Sequence, residues 1–171
     1  TEGSIALNDL TSAGLTTLSA SETIHAGITG NASGTTASGS EVHFASLASN
    51  AAALTITAAA IDLSALASNA VTATINTCTN IALGALTSAG GNIVAPDATT
   101  FAAPLLSTST GTIDVKQGAA ITLKNLATTT TTLLDFDNLV TLTLLEQGTN
   151  LDFSDASSMT TLNYTGKLLY S

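Results

Sequence analysis

The chain has 171 residues, of which 44% are hydrophobic but only 4% aromatic, and it contains no Trp. That length fits one domain with a continuous core, and the shortage of large side chains argues against a conventional globular core. Twelve acidic residues against three lysines give a formal net charge of −9, which excludes nucleic acid and anionic membrane surfaces as partners.

One motif recurs along the chain in the form apolar-x-apolar-x-x-Leu. It occurs at 5–10, 42–47, 61–66, 81–86, 101–106 and 121–126, with a weaker copy at Ile24 and continuations at Val140-Thr-Leu142 and Thr161-Leu162. Its starts lie about twenty residues apart, a period typical of solenoid repeats. Because one such coil cannot bury its apolar side alone, each coil needs a stacked neighbour.

A second apolar patch follows the motif within each coil, so we expect two short strands per coil separated by polar turns. Superimposing the coils predicts three columns of equivalent residues. These columns are Leu66, Leu86, Leu106 and Leu126; Ile93, Ile113, Leu133 and Phe153; and Ser68, Ser88, Thr108 and Thr128. Apolar and hydroxyl columns that stay in phase indicate stacked coils.

These patterns predict an all-β fold, a single β-solenoid (β-helix) domain over residues 1–171 with about nine coils of roughly twenty residues each. The Gly/Ser/Thr-rich segment 30–40 has no apolar anchor. We therefore expect it to form a flexible loop that bulges from the second coil.

The segments 86–95 and 106–115 show a likeness to a known family. In each, a Leu is followed by a short polar link, a Gly and an apolar-x-apolar strand, which is Ile93-Val-Ala95 in the first and Ile113-Asp-Val115 in the second. They resemble the leucine-rich-repeat-like coils of receptor-L-type domains and related bacterial surface proteins. The resemblance covers 81–136 best and implies a solenoid fold in an extracellular setting. It transfers no functional residue, and the family's flanking disulfide caps are missing.

His25 and His43 each follow the first apolar residue of a coil, and Asp62 holds the same place in the next coil. We expect an outward-facing His, His, Asp ladder with Glu41 adjacent. Two imidazoles and a carboxylate at one-coil spacing could hold a divalent metal or form a pH-sensitive patch. They could equally be solvated strand residues, and the sequence alone leaves both interpretations open.

Two carboxylate pairs, Asp135 with Asp137 and Asp152 with Asp155, are compatible with a calcium site or a glycosidase pair. Solubility explains them equally well, since they fall on expected turns and strand edges. Cys78 is the only cysteine, which excludes an intramolecular disulfide. Its column is small, and we expect a buried, inert thiol.

Threonines at alternate positions in two successive coils predict a two-layer hydroxyl grid. The grid consists of Thr108, Thr110, Thr112, Thr128, Thr130 and Thr132. A flat Thr grid on a low-charge solenoid is typical of an ice-binding surface, although Thr is also a favoured strand residue. The sequons that begin at Asn31 and Asn163 could be glycosylated in a host that modifies surface proteins.

The sequence therefore predicts no catalytic, cofactor-binding or metal-binding residue. We expect a non-enzymatic structural or adhesive protein of the cell surface, outside the cell. Its repeat pattern starts at Ile5 and persists to Tyr164, so we expect copies to stack head to tail into a filament. The partners would be other copies of the chain, with surface glycans as further candidates. A ligand-binding solenoid for ice, calcium or glycan is the alternative, and a carbohydrate-active enzyme is a third interpretation.

The uncharged stretch 63–96 is not expected to enter a membrane. Asn69, Asn76, Asn80 and Asn92, with many Ser and Thr residues, would place polar groups throughout the bilayer core.

Overall fold

The predicted all-β solenoid is confirmed by a computed structural model of the chain. The structure describes residues 3–7, 16–115 and 120–123, together with the backbone of strands at 128–129, 134–135, 141–144 and 161–164. The described strands are all parallel and stack in about six turns, about 19 residues apart. This count is of the described strands, and it differs slightly from the nine coils predicted for the whole chain. No helix in the described part of the chain is long and apolar enough to span a membrane.

The strands are short, and each coil contributes up to three of them. In chain order they are β1 (Ile5–Leu7), β2 (Thr16–Ser19), β3 (Thr23–Ala26), β4 (Gly30–Asn31), β5 (Thr35–Ser38), β6 (Glu41–His43), β7 (Ser49–Asn50), β8 (Leu54–Thr57), β9 (Ala60–Asp62), β10 (Ser68–Asn69), β11 (Ala73–Asn76), β12 (Asn80–Ala82), β13 (Ser88–Ala89), β14 (Ile93–Val94), β15 (Thr100–Ala102), β16 (Thr108–Ser109), β17 (Ile113–Asp114), β18 (Ala120–Leu123), β19 (Thr128–Thr129), β20 (Leu134–Asp135), β21 (Thr141–Leu144) and β22 (Thr161–Tyr164).

Stacking the coils produces four parallel sheets. Their strand orders are β1-β3-β6-β9, β12-β15-β18-β21-β22, β4-β7-β10-β13-β16-β19 and β2-β5-β8-β11-β14-β17-β20. Successive side chains of a strand point to opposite faces, so alternate residues enter the interior and the others face solvent. In β8, for example, Leu54 and Ile56 are buried while Thr55 and Thr57 are half-exposed.

The spacing of the sequence motif follows from a tight turn after each strand. The amide of Leu66 donates to the Leu63 carbonyl at 3.0 Å, and that of Leu86 donates to the Leu83 carbonyl at 3.2 Å. In each coil the turn brings the chain back into the interior three residues after Leu63 or Leu83, at the final Leu of the motif. Both leucines are at most 1% exposed. The x-x-Leu part of the motif is therefore the signature of a corner.

The register confirms the predicted hydroxyl column, and it corrects the second apolar column and the start of one repeat. Leu126 and Phe153 of the predicted columns lie outside the described residues. Ser68, Ser88, Thr108 and Thr128 pair in sequence order across β10, β13, β16 and β19. Ile113, however, pairs with Leu134 rather than Leu133. Ile121 pairs with Leu142, so Val140 does not begin that column. Ile113 and Leu134 are 21 residues apart, one more than the preceding step of 20 from Ile93. Ile121 and Leu142 are also 21 apart, two more than the step of 19 that a start at Val140 implies.

The prediction that 30–40 forms a bulging loop is wrong, because β4 and β5 lie within this segment. Its anchor is polar rather than apolar. The Asn31 carbonyl oxygen accepts the Gly34 amide and the Thr35 hydroxyl, each at 3.1 Å. Gly34 has a φ of +102°, which a glycine adopts readily and which turns the chain between the two strands. Ala37 then enters the core with no exposed surface.

Candidate functional site: a hydroxyl face on the seven-stranded sheet

An asparagine ladder runs through the interior of the solenoid. Asn31, Asn50 and Asn69 are at most 4% exposed and occupy one column of β4, β7 and β10. The Asn31 amide nitrogen donates to the Asn50 carbonyl oxygen at 2.6 Å, and the Asn50 nitrogen donates to Asn69 at 2.7 Å. Buried amides in such a chain satisfy each other, so they cost little and connect successive coils.

The ladder also binds the corner of the next coil. Asn31 donates to the carbonyls of Ala52 and Ala53 at 3.0 and 3.1 Å, and Asn50 donates to Val71 at 3.1 Å. Each of these carbonyls lies just before a strand of the seven-stranded sheet. Sequence reasoning missed the ladder, because the even spacing of the three asparagines, 19 residues apart, gains its meaning only once the register is known.

The seven-stranded sheet presents a two-column polar surface to solvent, which we call the hydroxyl face. One column is Thr17, Thr36, Thr55 and Thr74; the other is Ser19, Ser38, Thr57 and Asn76. Four consecutive strands, β2, β5, β8 and β11, place these residues directly opposite one another without a register shift. Their neighbours along each strand point into the core, so the face is built from outward side chains alone.

The hydroxyls of this face are available to an external partner. In the described part of the chain, no protein group accepts or donates a hydrogen bond at the side chains of Thr17, Thr36, Thr55, Thr74, Ser19 or Ser38. Only Asn76 and Thr57 interact within the face, at 3.4 Å. Hydroxyls elsewhere behave differently, since those of Thr87 and Ser107 donate to backbone carbonyls of the preceding coil.

The hydroxyl face is uncharged and has a sharp boundary. No Asp, Glu, Lys or His lies in its four strands. The Thr column continues into Val94 of β14 and then Asp114 of β17, where hydroxyls give way to an apolar and a charged side chain. The arrangement can therefore donate and accept hydrogen bonds over a small flat area but offers no general base or metal ligand.

The predicted grid around Thr108 does not form one flat surface. Thr108 lies in β16 of the six-stranded sheet, whereas Thr112 directly precedes β17 of the seven-stranded sheet. A corner separates them, and the Thr110 hydroxyl between them donates to the Gly90 carbonyl at 3.3 Å. Thr128 does pair with Thr108 as predicted. Thr130 and Thr132 lie outside the described residues.

The predicted His ladder is present in register, with His43 between His25 and Asp62. The two imidazole rings stack with centroids 4.5 Å apart and planes inclined by 12°. His43 Nε2 lies 3.2 Å from a Glu41 carboxylate oxygen. Asp62 instead accepts the Ser64 amide at 3.0 Å. Hydrogen bonds from the Ser64 hydroxyl and amide, with the nearby His43, lower the pKa of Asp62 below its usual value.

This cluster does not converge on a metal position. Within the residues that the structure describes, no group of three or more His, Cys, Asp or Glu side chains could hold a metal ion. Asp62 hydrogen-bonds to Ser64, and His43 contacts Glu41. The two carboxylates and the two imidazoles therefore do not converge on one common position. The hypothesis of a divalent site at this ladder therefore gains no support.

The remaining predicted residues lie in the core or beyond the described chain. Cys78 is 1% exposed and its thiol contacts the Asn80 carbonyl at 3.2 Å, which confirms the buried thiol. Asn31 is also buried and its amide donates to Asn50 within the ladder, which disfavours the glycosylation considered for its sequon. The side chain of Asn163 and the pairs Asp135 with Asp137 and Asp152 with Asp155 lie outside the described side chains.

Comparison with known proteins adds no relative to this picture. No family model, no curated protein and no solved structure matches the chain. The likeness of its coils to receptor-L-type domains therefore has no support beyond the solenoid architecture itself.

Proposed function

We propose that the chain is a non-enzymatic adhesive scaffold that works outside the cell, at the cell surface, and that the hydroxyl face is its adhesive surface. The observation that carries this proposal is the alignment of seven hydroxyls over four consecutive strands, of which only that of Thr57 has a hydrogen-bond partner within the described part of the chain. Hydroxyls and one amide bind by hydrogen bonding without taking up or releasing protons near neutral pH. Such a surface suits adhesion better than acid–base catalysis, which needs a titratable group.

The extracellular setting rests on the sequence. The coils at 86–95 and 106–115 resemble receptor-L-type domains and bacterial surface proteins, and the net charge of −9 disfavours nucleic acid as a partner. A flat face without charged residues suits an extended, uncharged target more than a folded protein with a charged surface.

Adsorption to uncharged solids tests the adhesive proposal. The purified chain is incubated with crystalline cellulose, chitin and ice, and the bound fraction is compared with Thr55→Tyr and Thr122→Tyr variants. Thr55 lies in the middle of the face, between Thr36 and Thr74, so a bulky ring there keeps a flat target away. Thr122 is the matched control, because it faces outward from β18 on another sheet.

We expect adsorption to at least one solid that Thr55→Tyr abolishes and Thr122→Tyr retains. Equal adsorption of both variants, or no adsorption of the parent chain to any solid, would contradict the proposal. Circular dichroism establishes that both variants keep the β structure.

A second candidate function is head-to-tail assembly into a filament, favoured by the first described strand. Leu7 of β1 is 38% exposed, whereas its stacked partner Ala26 is 5% exposed. Because all strands are parallel, a coil of another copy could add to this edge in the direction the solenoid already uses. Such a coil would cover Leu7 in the same way that β6 covers β3.

Sedimentation velocity tests this candidate at increasing protein concentration. We expect assemblies that Leu7→Asp disperses into monomers, since it places an unpaired charge in the joint. Ala6→Asp is the matched control, because Ala6 is exposed on the outer side of the same strand. Monomers of the parent chain at high concentration, or assemblies that persist in Leu7→Asp, would exclude β1 as the joint.

A further inference from the structure

We propose that the solid to which the hydroxyl face binds is ice, an inference that rests on the adhesive function proposed above. It commits the face to a crystalline lattice of water rather than to a polysaccharide or an ion. The target follows from the spacing of the face, from its neutrality and from the way its coils are held.

The hydroxyl face is periodic in two directions. Parallel strands of a sheet lie about 4.8 Å apart, and alternate residues of a strand about 6.6 Å apart. Because β2, β5, β8 and β11 pair without a shift, equivalent side chains form straight rows. Ice presents flat, regularly spaced rows of water oxygens. A row of evenly spaced hydroxyls can order bridging waters that continue such a row, whereas irregular hydroxyls cannot.

The chemistry of the face also favours a neutral water lattice. Each hydroxyl donates one hydrogen bond and accepts others, as a water molecule does. Each Thr adds a methyl group that cannot compete for the bridging waters. A charged side chain would instead hold its own hydration shell and break the pattern, and the four strands of the face contain none.

The other candidate ligands need groups that the face lacks. A divalent cation needs carboxylates, imidazoles or thiolates as ligands, and no side chain of the face belongs to these types. A polysaccharide chain commonly packs its sugar rings on aromatic side chains, and none of the eight outward residues is aromatic. The face offers only hydroxyls, methyl groups and the single amide of Asn76.

The interior of the solenoid holds this face in a fixed geometry. Asn31 donates to the carbonyl of Ala53, immediately before β8, and Asn50 donates to that of Val71, two residues before β11. Each bond fixes the height of one face strand against the coil before it. A surface that matches a lattice needs this rigidity, because relative movement of the coils would change the spacing between the rows of hydroxyls.

Ice-affinity partition tests the inference. A dilute solution of the chain is frozen slowly from a seeded surface, and protein in the ice is compared with protein left in the liquid. We expect the parent chain and Thr122→Tyr to enter the ice, and Thr55→Tyr to remain in the liquid with serum albumin as the non-binding control. The same ranking is expected for thermal hysteresis, the gap between the melting and freezing points.

A gain-of-function variant keeps the test independent of folding defects. Val94 continues the Thr column on the next strand, so Val94→Thr lengthens the row from four threonines to five and should widen the thermal hysteresis. A parent chain that is excluded from ice like albumin would overturn the inference. If that chain still adsorbed to cellulose or chitin in a manner sensitive to Thr55→Tyr, the adhesive function would stand and ice would be the wrong target. Loss of adsorption to every solid would overturn both.

Discussion

The substitution Asn50→Ala isolates what the asparagine ladder contributes to stability. Asn50 is 1% exposed and makes three side-chain hydrogen bonds: it accepts one from Asn31 at 2.6 Å and donates to Asn69 and Val71 at 2.7 and 3.1 Å. Alanine removes all three. At about 1 kcal/mol net for each bond, the loss is about 3 kcal/mol. The stranded Asn69 carbonyl oxygen adds to this, because burying an unpaired acceptor is itself unfavourable.

Urea unfolding followed by circular dichroism measures this loss as a fall in the transition midpoint. A domain whose total stability is about 5–15 kcal/mol would show it clearly. Asn80→Ala is the control, since Asn80 is exposed and its side chain accepts one hydrogen bond, from the Thr100 hydroxyl at 2.7 Å. Its effect should stay within about 0.5 kcal/mol. If Asn50→Ala cost no more than Asn80→Ala, the ladder would not hold the coils together.

Two further predictions concern a corner and a carboxylate. Gly91→Ala should lower the free energy of unfolding by about 2 kcal/mol in the same urea assay, because a Cβ at Gly91 would collide with the Val71 backbone of the preceding coil. Gly84→Ala is the control and should leave the stability unchanged, since nothing lies within 4 Å of a Cβ there. Equal effects of the two substitutions would contradict the close approach at Gly91. Asp62 has a pKa held below 3.8 in the folded state by Ser64, so its contribution to stability is present above about pH 4 and is lost as the pH falls through the lowered pKa. Asp62→Asn should therefore flatten the acid limb of the unfolding curve, and an unchanged acid limb would contradict the assignment.

The solenoid was predictable because stacking repeats every side-chain environment once per coil. Leu66, Leu86 and Leu106 occupy one buried position, and only a small set of residue types fits it. The sequence therefore shows a column wherever the coil length stays constant. Where the step lengthens by a residue, as between Ile113 and Leu134, superposition by a fixed period assigns the wrong partner.

The loop predicted at 30–40 shows why polar anchors escape such reasoning. Glycine, serine, threonine and asparagine are turn residues by composition, and nothing local distinguishes a buried asparagine from an exposed one. What decides is a partner one coil away: Asn31 finds Asn50, which is 19 residues further along the chain. A buried amide is tolerated only when such a partner exists, so the ladder could be inferred only after the register was known.

The hydroxyl face was missed for a related reason. Thr36 and Thr55 alternate with core residues of different types, Ala37 in one strand and Ile56 in the next, so the segments do not look alike. The Thr-rich run at 108–112 was more conspicuous, but a corner interrupts it. Alternation predicts which side chains point outward, whereas only the register tells whether outward side chains of successive coils align.

The ladder and the face end at the same coil, which links the interior of the solenoid to its surface. After Asn69 the interior column continues as Ala89, and after Thr74 the outer column continues as Val94. Asn69 makes the last amide contacts of the column, to the carbonyls of Gly91 and Asn92 at 3.2 Å. A ladder needed only for folding would have no reason to stop with the hydroxyls. The coils that present a periodic surface need the most exact spacing. In those coils the asparagine side chains add hydrogen bonds at each corner to the backbone pairing of the short strands, which explains why the ladder extends only that far.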